Sequence, residues 1–305
     1  MMSQRARMAA SLSATFLFLS LTRCVAHEPL WQDLSKERIA CHVVEDAPSD
    51  VAYRPKTIHV MRGDGGERIE VGDGQHASWS PDGRTLVVVA HTFDSLLLLD
   101  TGDGDSAVLY SPGCCLDDPS WSPDGSRIAF LADLELWVMT ADGSQARQLT
   151  DHGRRAFVEP PSWSQSGERI AFSVYSDPRS ERAAYSLIWV INADGSEPDQ
   201  LSDDTRYWHD PVWSPNDDRI VFHGYWDGEY HMMLMNADGS EQQPIGTGIP
   251  YGWSPDGSRI YFRTSFVNDT LWTMNADGSN RTRLFELDCE DPVWSPVIEG
   301  QEGVE

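Results

Sequence analysis

The sequence predicts an all-β protein folded as a six-bladed β-propeller. A Trp-Ser pair recurs six times, at intervals of 42, 42, 50, 40 and 41 residues, and the repeat unit divides into four short apolar segments. Repeats of about 40 residues with four strands each are typical of propeller blades. The 24 Gly and 18 Pro of the chain also favour short strands and tight turns over long helices. The tryptophans that mark the repeat are Trp79, Trp121, Trp163, Trp213, Trp253 and Trp294.

One repeat unit contains all four predicted strands in order. They are expected at residues 119–122, 127–131, 134–140 and 146–150. The turn between the first two reads Ser-Pro-Asp-Gly, in which Pro fixes φ near about −65° and Gly supplies a positive φ. The third and fourth strands are joined by Ala-Asp-Gly-Ser, in which Asp and Gly suit a tight hairpin. Arg127 opens the second strand and is expected to pair with a turn aspartate.

The two ends of the chain are expected to share one blade. Residues 36–41, 58–61 and 68–71 match the second, third and fourth strands of the repeat, whereas residues 291–295 match a first strand. The sequence therefore predicts a propeller over residues 36–296, closed by three N-terminal strands and the C-terminal first strand. Such pairing of the ends leaves no exposed sheet edge at the joint.

Residues 1–26 have the features of a secretory signal peptide. Two arginines precede an apolar run at 8–21, and Ala26 is a small residue before the expected cut. The run is about 14 residues, shorter than the roughly 20 that a membrane-spanning helix needs. We therefore expect an exported protein, periplasmic or secreted, with no membrane span. A short extension at 27–35 precedes the propeller and a tail at 297–305 follows it.

The five cysteines bear on anchoring and on disulfide bonding. Cys24 ends a segment that resembles a lipobox, although the Arg before it departs from that pattern, so a lipid anchor at Cys24 is an open alternative. Cleavage of the signal peptide would leave Cys41, Cys114, Cys115 and Cys289 in an oxidising compartment. Three pairings and free thiols are all compatible with four cysteines. A disulfide between Cys41 and Cys289 would fasten the predicted closing blade.

The charge of the chain excludes one class of partner. Lys and Arg number 23 against 48 Asp and Glu, which gives a formal net charge of −25. A surface of this sign repels nucleic acid and anionic lipid. We therefore expect no nucleic-acid partner.

The repeated strings WSPDG-x-RIAF and NADGS resemble the repeat of the TolB-type (WD40-like, PD40) propeller family, and the resemblance covers residues 36–296. TolB itself is a periplasmic partner of a lipoprotein in the Tol-Pal system, and an α/β domain precedes its propeller. Here residues 27–35 alone stand between the signal peptide and the first strand, so we expect the propeller without that domain. Some TolB-related propellers are polysaccharide lyases that hold a divalent metal with histidines at the channel mouth.

The variable side of the ring is where the sequence places a binding site. The WSPDG and NADGS turns share one face and are interpreted as structural. The opposite face holds the loops between second and third strands and the connections between blades, where the repeats differ and binding usually resides. Two aromatic pairs on this face do not fall on a core position of the repeat, and we expect them to bind a ligand. They are Tyr207 with Trp208 and Tyr225 with Trp226.

Three acids occupy equivalent positions, three residues before a repeat tryptophan, at alternate blades. They are Asp118, Asp210 and Asp291. If they converge in the central channel they could hold a cationic side chain or a divalent cation such as Ca²⁺ or Mg²⁺. The alternative is that each carboxylate caps backbone N–H groups at its own strand. No other cofactor is expected.

Three histidines on the same face carry the enzymatic alternative. The resemblance implies that His76, His152 and His209 could ligate one divalent metal, because neutral imidazoles suit such an ion. The sequence therefore predicts an exported, monomeric binding protein that recognises a protein or peptide partner, such as an envelope protein, through an acidic and aromatic face. The alternative is a metal-dependent polysaccharide lyase or hydrolase with this histidine site.

Overall fold

The computed structural model describes residues 38–44, 56–113, 115–152, 156–176, 186–203, 207–226, 228–264, 270–286 and 289–295. Every regular element in these ranges is a β-strand. The ranges contain no helix with the length and apolar character needed to span a membrane. The predicted signal peptide, Cys24, the extension at 27–35 and the tail at 297–305 lie outside them.

The first three strands and the last strand belong to one blade, and the strands between them form five blades of four or five strands each. The first three are β1 (Arg38–Val44), β2 (Lys56–Arg62) and β3 (Ile69–Asp73). Blade 1 comprises β4 (Gln75–Trp79), β5 (Thr85–Val89), β6 (Leu96–Asp100) and β7 (Ser106–Tyr110). Blade 2 comprises β8 (Leu116–Trp121), β9 (Arg127–Ala132), β10 (Glu135–Thr140) and β11 (Arg147–Gln148). Blade 3 comprises β12 (Ala156–Val158), β13 (Ser162–Trp163), β14 (Arg169–Ser176), β15 (Ser186–Asn192) and β16 (Asp199–Gln200).

The remaining strands follow the same order. Blade 4 comprises β17 (Trp208–Trp213), β18 (Arg219–Trp226), β19 (Glu229–Asn236) and β20 (Gln243–Thr247). Blade 5 comprises β21 (Ile249–Trp253), β22 (Arg259–Arg263), β23 (Thr270–Asn275) and β24 (Thr282–Glu286). The last strand is β25 (Glu290–Trp294).

Six separate antiparallel sheets form the six blades of a propeller, as the sequence predicted. Blade 3 differs because its first strand is split: β12 and β13 both pair with β14. Pro160 and Pro161 lie between the two pieces. Proline has no N–H to donate to a sheet, so the pairing is interrupted there and resumes on either side.

Blade 6 contains both ends of the described chain. Its strand order is β25-β1-β2-β3, and Ile39 of β1 lies opposite Trp294 of β25. A disulfide joins Cys41 in β1 to Cys289, the residue before β25. This predicted pairing is confirmed, whereas Cys114 lies outside the described residues.

The WSPDG turns are built by their own side chains. In blade 2 the Ser122 hydroxyl donates to Asp124 Oδ1 at 2.6 Å, and the Ser126 amide donates to the same oxygen at 3.0 Å. These hydrogen bonds lower the pKa of Asp124 to about 2, the Ser122 bond contributing most. The turn aspartate is therefore ionised and occupied with its own turn, which agrees with a structural role for this face.

The repeat tryptophans join neighbouring blades. The Trp163 indole donates to the Ser120 carbonyl of blade 2 at 3.0 Å. The Arg127 guanidinium lies 5.0 Å from the centre of the Trp163 ring and donates to the Gly167 carbonyl. Arg127 was expected to pair with a turn aspartate. Its contacts instead reach the next blade, because its long side chain covers the neighbouring indole in a cation–π contact.

Candidate functional site

The first strands of the blades surround a cavity of about 540 Å³ at the end of the channel where these strands begin. Residues three before the repeat tryptophans contribute to its lining in five blades: His76, Asp118, Pro160, Asp210 and Pro250. Asp118 and Asp210 thus line the same cavity. The side chain of Asp291 lies outside the described residues.

Bulges in the first strands aim these side chains into the cavity. The pairing register shifts between Gln75 and Ser78 in β4, and the same shift recurs in β8 and β17. His76, Asp118 and Asp210 occupy the bulges with φ of 50°, 42° and 49°. A bulge re-aims a side chain, and Asp and His enter this left-handed region more readily than most residues.

His76 lies between two carboxylates from the next blade. Its Nδ1 is 2.5 Å from Asp117 Oδ1 and 2.9 Å from Asp118 Oδ1. Burial alone would lower the pKa of His76, but the hydrogen bonds and charges of Asp117 and Asp118 more than offset this effect and raise it to about 10. The imidazolium therefore bridges blades 1 and 2 at neutral pH. The buried His42 ring stacks on His76 with centroids 5.7 Å apart.

A second histidine–carboxylate pair joins blades 3 and 4. His209 Nδ1 lies 2.7 Å from Glu159 Oε2, which also accepts a hydrogen bond from the Ser173 hydroxyl at 2.5 Å. Burial lowers the pKa of His209, but the hydrogen bond and charge of Glu159 together with the charge of Asp210 raise it above its ordinary value.

His223 lies directly across the sheet from His209 and is buried. Its pKa falls to about 3 because burial disfavours the imidazolium and the charges of His209 and Arg263 repel it. His223 is therefore neutral at physiological pH, whereas the pKa of its neighbour His209 is shifted in the opposite direction.

The third predicted ligand, His152, has a partner within its own blade. Its Nδ1 lies 2.9 Å from Glu135 Oε2, and the Thr150 hydroxyl donates to that carboxylate at 2.7 Å. In the ranges that the structure describes, one group of three potential ligands lies within 4.8 Å, namely His76, Asp117 and Asp118. The predicted set of His76, His152 and His209 is therefore not brought together there.

The aromatic residues divide between surface and core. Tyr207 and Tyr225 are 38% and 51% exposed, as expected for binding residues. Trp208 is 4% exposed and packs edge-on against Phe222 with centroids 5.2 Å apart, so the prediction that it is an exposed binding residue is wrong. Strand β17 begins at Trp208, and the bulge between His209 and Val212 shifts the alternation so that this side chain points into the core. Trp226 ends β18, and its side chain lies outside the described residues.

Two further apolar residues lie on the same side of the ring. Phe93 and Leu134 lie in loops between second and third strands, and they are 36% and 43% exposed. Their φ values are 56° and 70°, a conformation that is rare for bulky residues. No sequence signal marks Leu134 as a surface residue, because it was expected to begin a strand. Loops between second and third strands lie at the same end of each blade as the start of its first strand, so we call the side of the ring that carries Phe93, Leu134, Tyr207 and Tyr225 the mouth face.

Known proteins resemble this chain both in sequence and in fold. The chain is 30% identical over 122 residues to the Tol-Pal system protein TolB of Anaeromyxobacter dehalogenans, and the match covers 38% of this chain and 28% of that protein. The crystal structure of TolB from Acinetobacter baumannii superposes with a TM-score of 0.69 at 20% identity, over 86% of this chain and 67% of the other. An oligogalacturonate lyase in complex with manganese gives a TM-score of 0.57 at 12% identity, over 78% and 74%.

At these identities the two solved structures are similar in fold alone, and the chain spans less than a third of the length of the curated TolB that it matches. The sequence profile of one family, however, matches nearly the whole propeller. It is PD40, described as the TolB beta propeller domain, and it matches residues 37–298. The chain therefore belongs to the TolB beta propeller family.

Proposed function

We propose that this protein is an exported binding protein that recognises a protein or peptide partner through its mouth face. The observation that carries the proposal is the distribution of exposed apolar side chains. Of six large hydrophobic residues exposed in the described ranges, Phe93, Leu134, Tyr207 and Tyr225 lie on the mouth face. Large aromatic and apolar side chains that stay exposed around a pocket are typical of protein-binding sites.

The cavity at the centre of this face favours a partner with a positive charge. Asp118 and Asp210 line it, and the chain as a whole has a net charge of −25. At about 540 Å³ the cavity can hold one long side chain or a short peptide segment. The partner that fits best presents apolar residues to the tyrosines and a Lys or Arg side chain to the aspartates.

The proposal that the protein is exported rests on its N-terminal residues. Residues 1–26 have the charged and apolar pattern of a signal peptide. The relatives bear the name Tol-Pal system protein TolB, so we propose that the partner is a protein of the cell envelope and that this chain acts in the periplasm or outside the cell as a monomer. A lipid on Cys24 would hold it at the membrane surface and remains part of the proposal to be tested by mass spectrometry.

The test compares capture of envelope proteins by two matched double variants. Tyr207→Ala with Tyr225→Ala removes exposed apolar surface from the mouth face. Ile69→Ala with Val108→Ala removes similarly exposed side chains from the outer strands β3 and β7. We expect wild type and the outer-strand variant to retain the same captured protein and the mouth-face variant to lose it. Binding of the purified partner is then titrated against all three.

The opposite pattern contradicts the proposal. If the captured protein is lost with the outer-strand variant and kept with the mouth-face variant, the binding surface lies elsewhere on the ring. Asp210→Asn provides a second test, because it removes a charge from the cavity without removing apolar surface. It should weaken binding and reduce its dependence on salt.

A further inference from the structure

We propose that His76, Asp117 and Asp118 form a binding site for a divalent first-row transition metal, of the Zn²⁺ or Mn²⁺ class, at the rim of the cavity. The site shares Asp118 with the cavity proposed above to receive the partner, but metal binding can be measured without that partner. One imidazole nitrogen and two carboxylate oxygens lie within 4.8 Å of one another. Nitrogen and carboxylate donors are those that zinc and manganese accept.

The distances already approach those of a coordination sphere. Bonds from such a metal to nitrogen and oxygen are about 2.0–2.2 Å, so two ligands at right angles lie about 3.0 Å apart. His76 Nδ1 is 2.5 Å from Asp117 Oδ1 and 2.9 Å from Asp118 Oδ1. Tetrahedral ligands, which zinc prefers, lie about 3.4 Å apart, so the ligand atoms would have to separate by about 0.1–0.9 Å to admit the ion.

The three side chains are held in place before any ion binds. They come from β4 and β8 of adjoining blades, where bulges fix His76 and Asp118. The Asp118 amide donates to Asp117 Oδ1 at 3.1 Å, and His42 packs against the imidazole of His76. Fixed side chains lose little conformational freedom on binding, which favours affinity.

The charge of this group distinguishes it from the other histidine pairs at the ring. His209 contacts Glu159, and His152 contacts Glu135, each a single carboxylate. His76 contacts two, from adjacent residues. The ion would displace the proton of His76, after which two carboxylates and a neutral imidazole balance the charge of one divalent ion. Lys56 contacts the Nε2 atom of His42 at 3.1 Å, and the His42 ring stacks on His76.

Access to solvent leaves room to complete the coordination. The side chains of His76 and Asp118 are 22% and 23% exposed, and that of Asp117 is 38% exposed. Both His76 and Asp118 line the cavity of about 540 Å³. Water, or a group from a bound ligand, can therefore occupy the positions that the protein does not fill.

The experiment measures metal uptake by the mature chain without a polyhistidine tag. Zn²⁺ and Mn²⁺ are titrated by calorimetry, and bound metal is counted by elemental mass spectrometry after dialysis. We expect one equivalent in wild type and a loss of affinity of about tenfold or more in Asp117→Asn. Co²⁺ provides a spectrum of the site itself, whose visible absorption should vanish in His76→Gln.

Glu159→Gln is the matched control, since it alters a histidine–carboxylate pair on the same rim. It should bind metal as wild type does. Far-UV circular dichroism of the metal-free variants checks folding. If His76→Gln fails to fold, Asp117→Asn still tests the site, because the Asp117 side chain is the most exposed of the three. No saturable binding in wild type would overturn the proposal, as would equal binding by wild type and both site variants, which would indicate adventitious surface sites.

Discussion

Replacing Trp208 with Ala tests the assignment of this residue to the core. Its indole is 4% exposed and belongs to the cluster that packs blades 3 and 4 together. The ring meets Phe222 edge-on at 5.2 Å and lies against Gly224, where a Cβ atom would come within 2.8 Å of the indole. The Trp208 carbonyl also accepts a hydrogen bond from the Ser186 hydroxyl at 2.6 Å.

The expected loss follows from the area that the indole buries. A large aromatic side chain buries about 150–250 Å², and each Å² contributes about 25 cal/mol. Truncation to Ala should therefore lower the free energy of unfolding by about 3–5 kcal/mol, the range found for other buried aromatic residues. Tyr225→Ala is the control, because a side chain that is 51% exposed should cost about 1 kcal/mol or less.

Urea unfolding followed by far-UV circular dichroism provides the comparison, because this signal does not depend on the tryptophan that is removed. The slope against urea should stay constant so that a shift in midpoint reports stability. A loss below about 1 kcal/mol for Trp208→Ala would refute its core assignment. Trp208 would then return to the set of exposed binding residues.

Three further predictions concern the joints of the ring. The pKa of His76 is raised from 6.5 to about 10, so its pairing with Asp117 stabilises the fold fully below pH 6.5, and this stabilisation is lost as the pH rises to 10. The free energy of unfolding measured in urea should therefore fall by about 3–5 kcal/mol more in wild type than in His76→Gln across this range. The Cys41–Cys289 disulfide spans 248 residues, so replacing both cysteines with Ser should cost about 5 kcal/mol by thermal or urea unfolding, and an unchanged midpoint would contradict this. Trp163 and Trp213 are 6% and 5% exposed and each lies under an arginine, but of the two only the Trp163 indole N–H has a hydrogen-bond partner in the described ranges. Trp163→Phe should therefore lower the free energy of unfolding by about 1 kcal/mol more than Trp213→Phe, and equal losses would contradict the reasoning.

The fold could be predicted because its signals are local. Each Trp-Ser-Pro-Asp-Gly string contains the residues that bond within its own turn, as Ser122 and Asp124 do. The position of Trp208 could not be predicted in this way. The bulge between His209 and Val212 moves the start of β17 out of the regular alternation that a repeat alignment assumes.

The contacts of the candidate site are not local. His76 and Asp117 lie 41 positions apart in sequence, on different blades, and meet because bulges turn His76 and Asp118 toward the channel. A search for ligands by residue type found His76, His152 and His209 equally plausible. The structure separates them by giving each its own carboxylate, which depends on blade packing and not on spacing along the chain.

Two adjacent positions lie three and four residues before each repeat tryptophan, and the fold determines the residue type at the first more than at the second. Asp118 and Asp210 have φ of 42° and 49°, and aspartate tolerates this conformation, so the backbone alone accounts for an acid three residues before the tryptophan. It does not account for the residue one position earlier, where the six blades carry Gln75, Asp117, Glu159, His209, Ile249 and Glu290. At this position no shared conformation dictates the residue type, yet Asp117 contacts His76 and Glu159 contacts His209. The chemistry particular to this propeller is therefore concentrated there, and a substitution at Asp117 should alter metal binding and also remove one of the carboxylates that raise the pKa of His76.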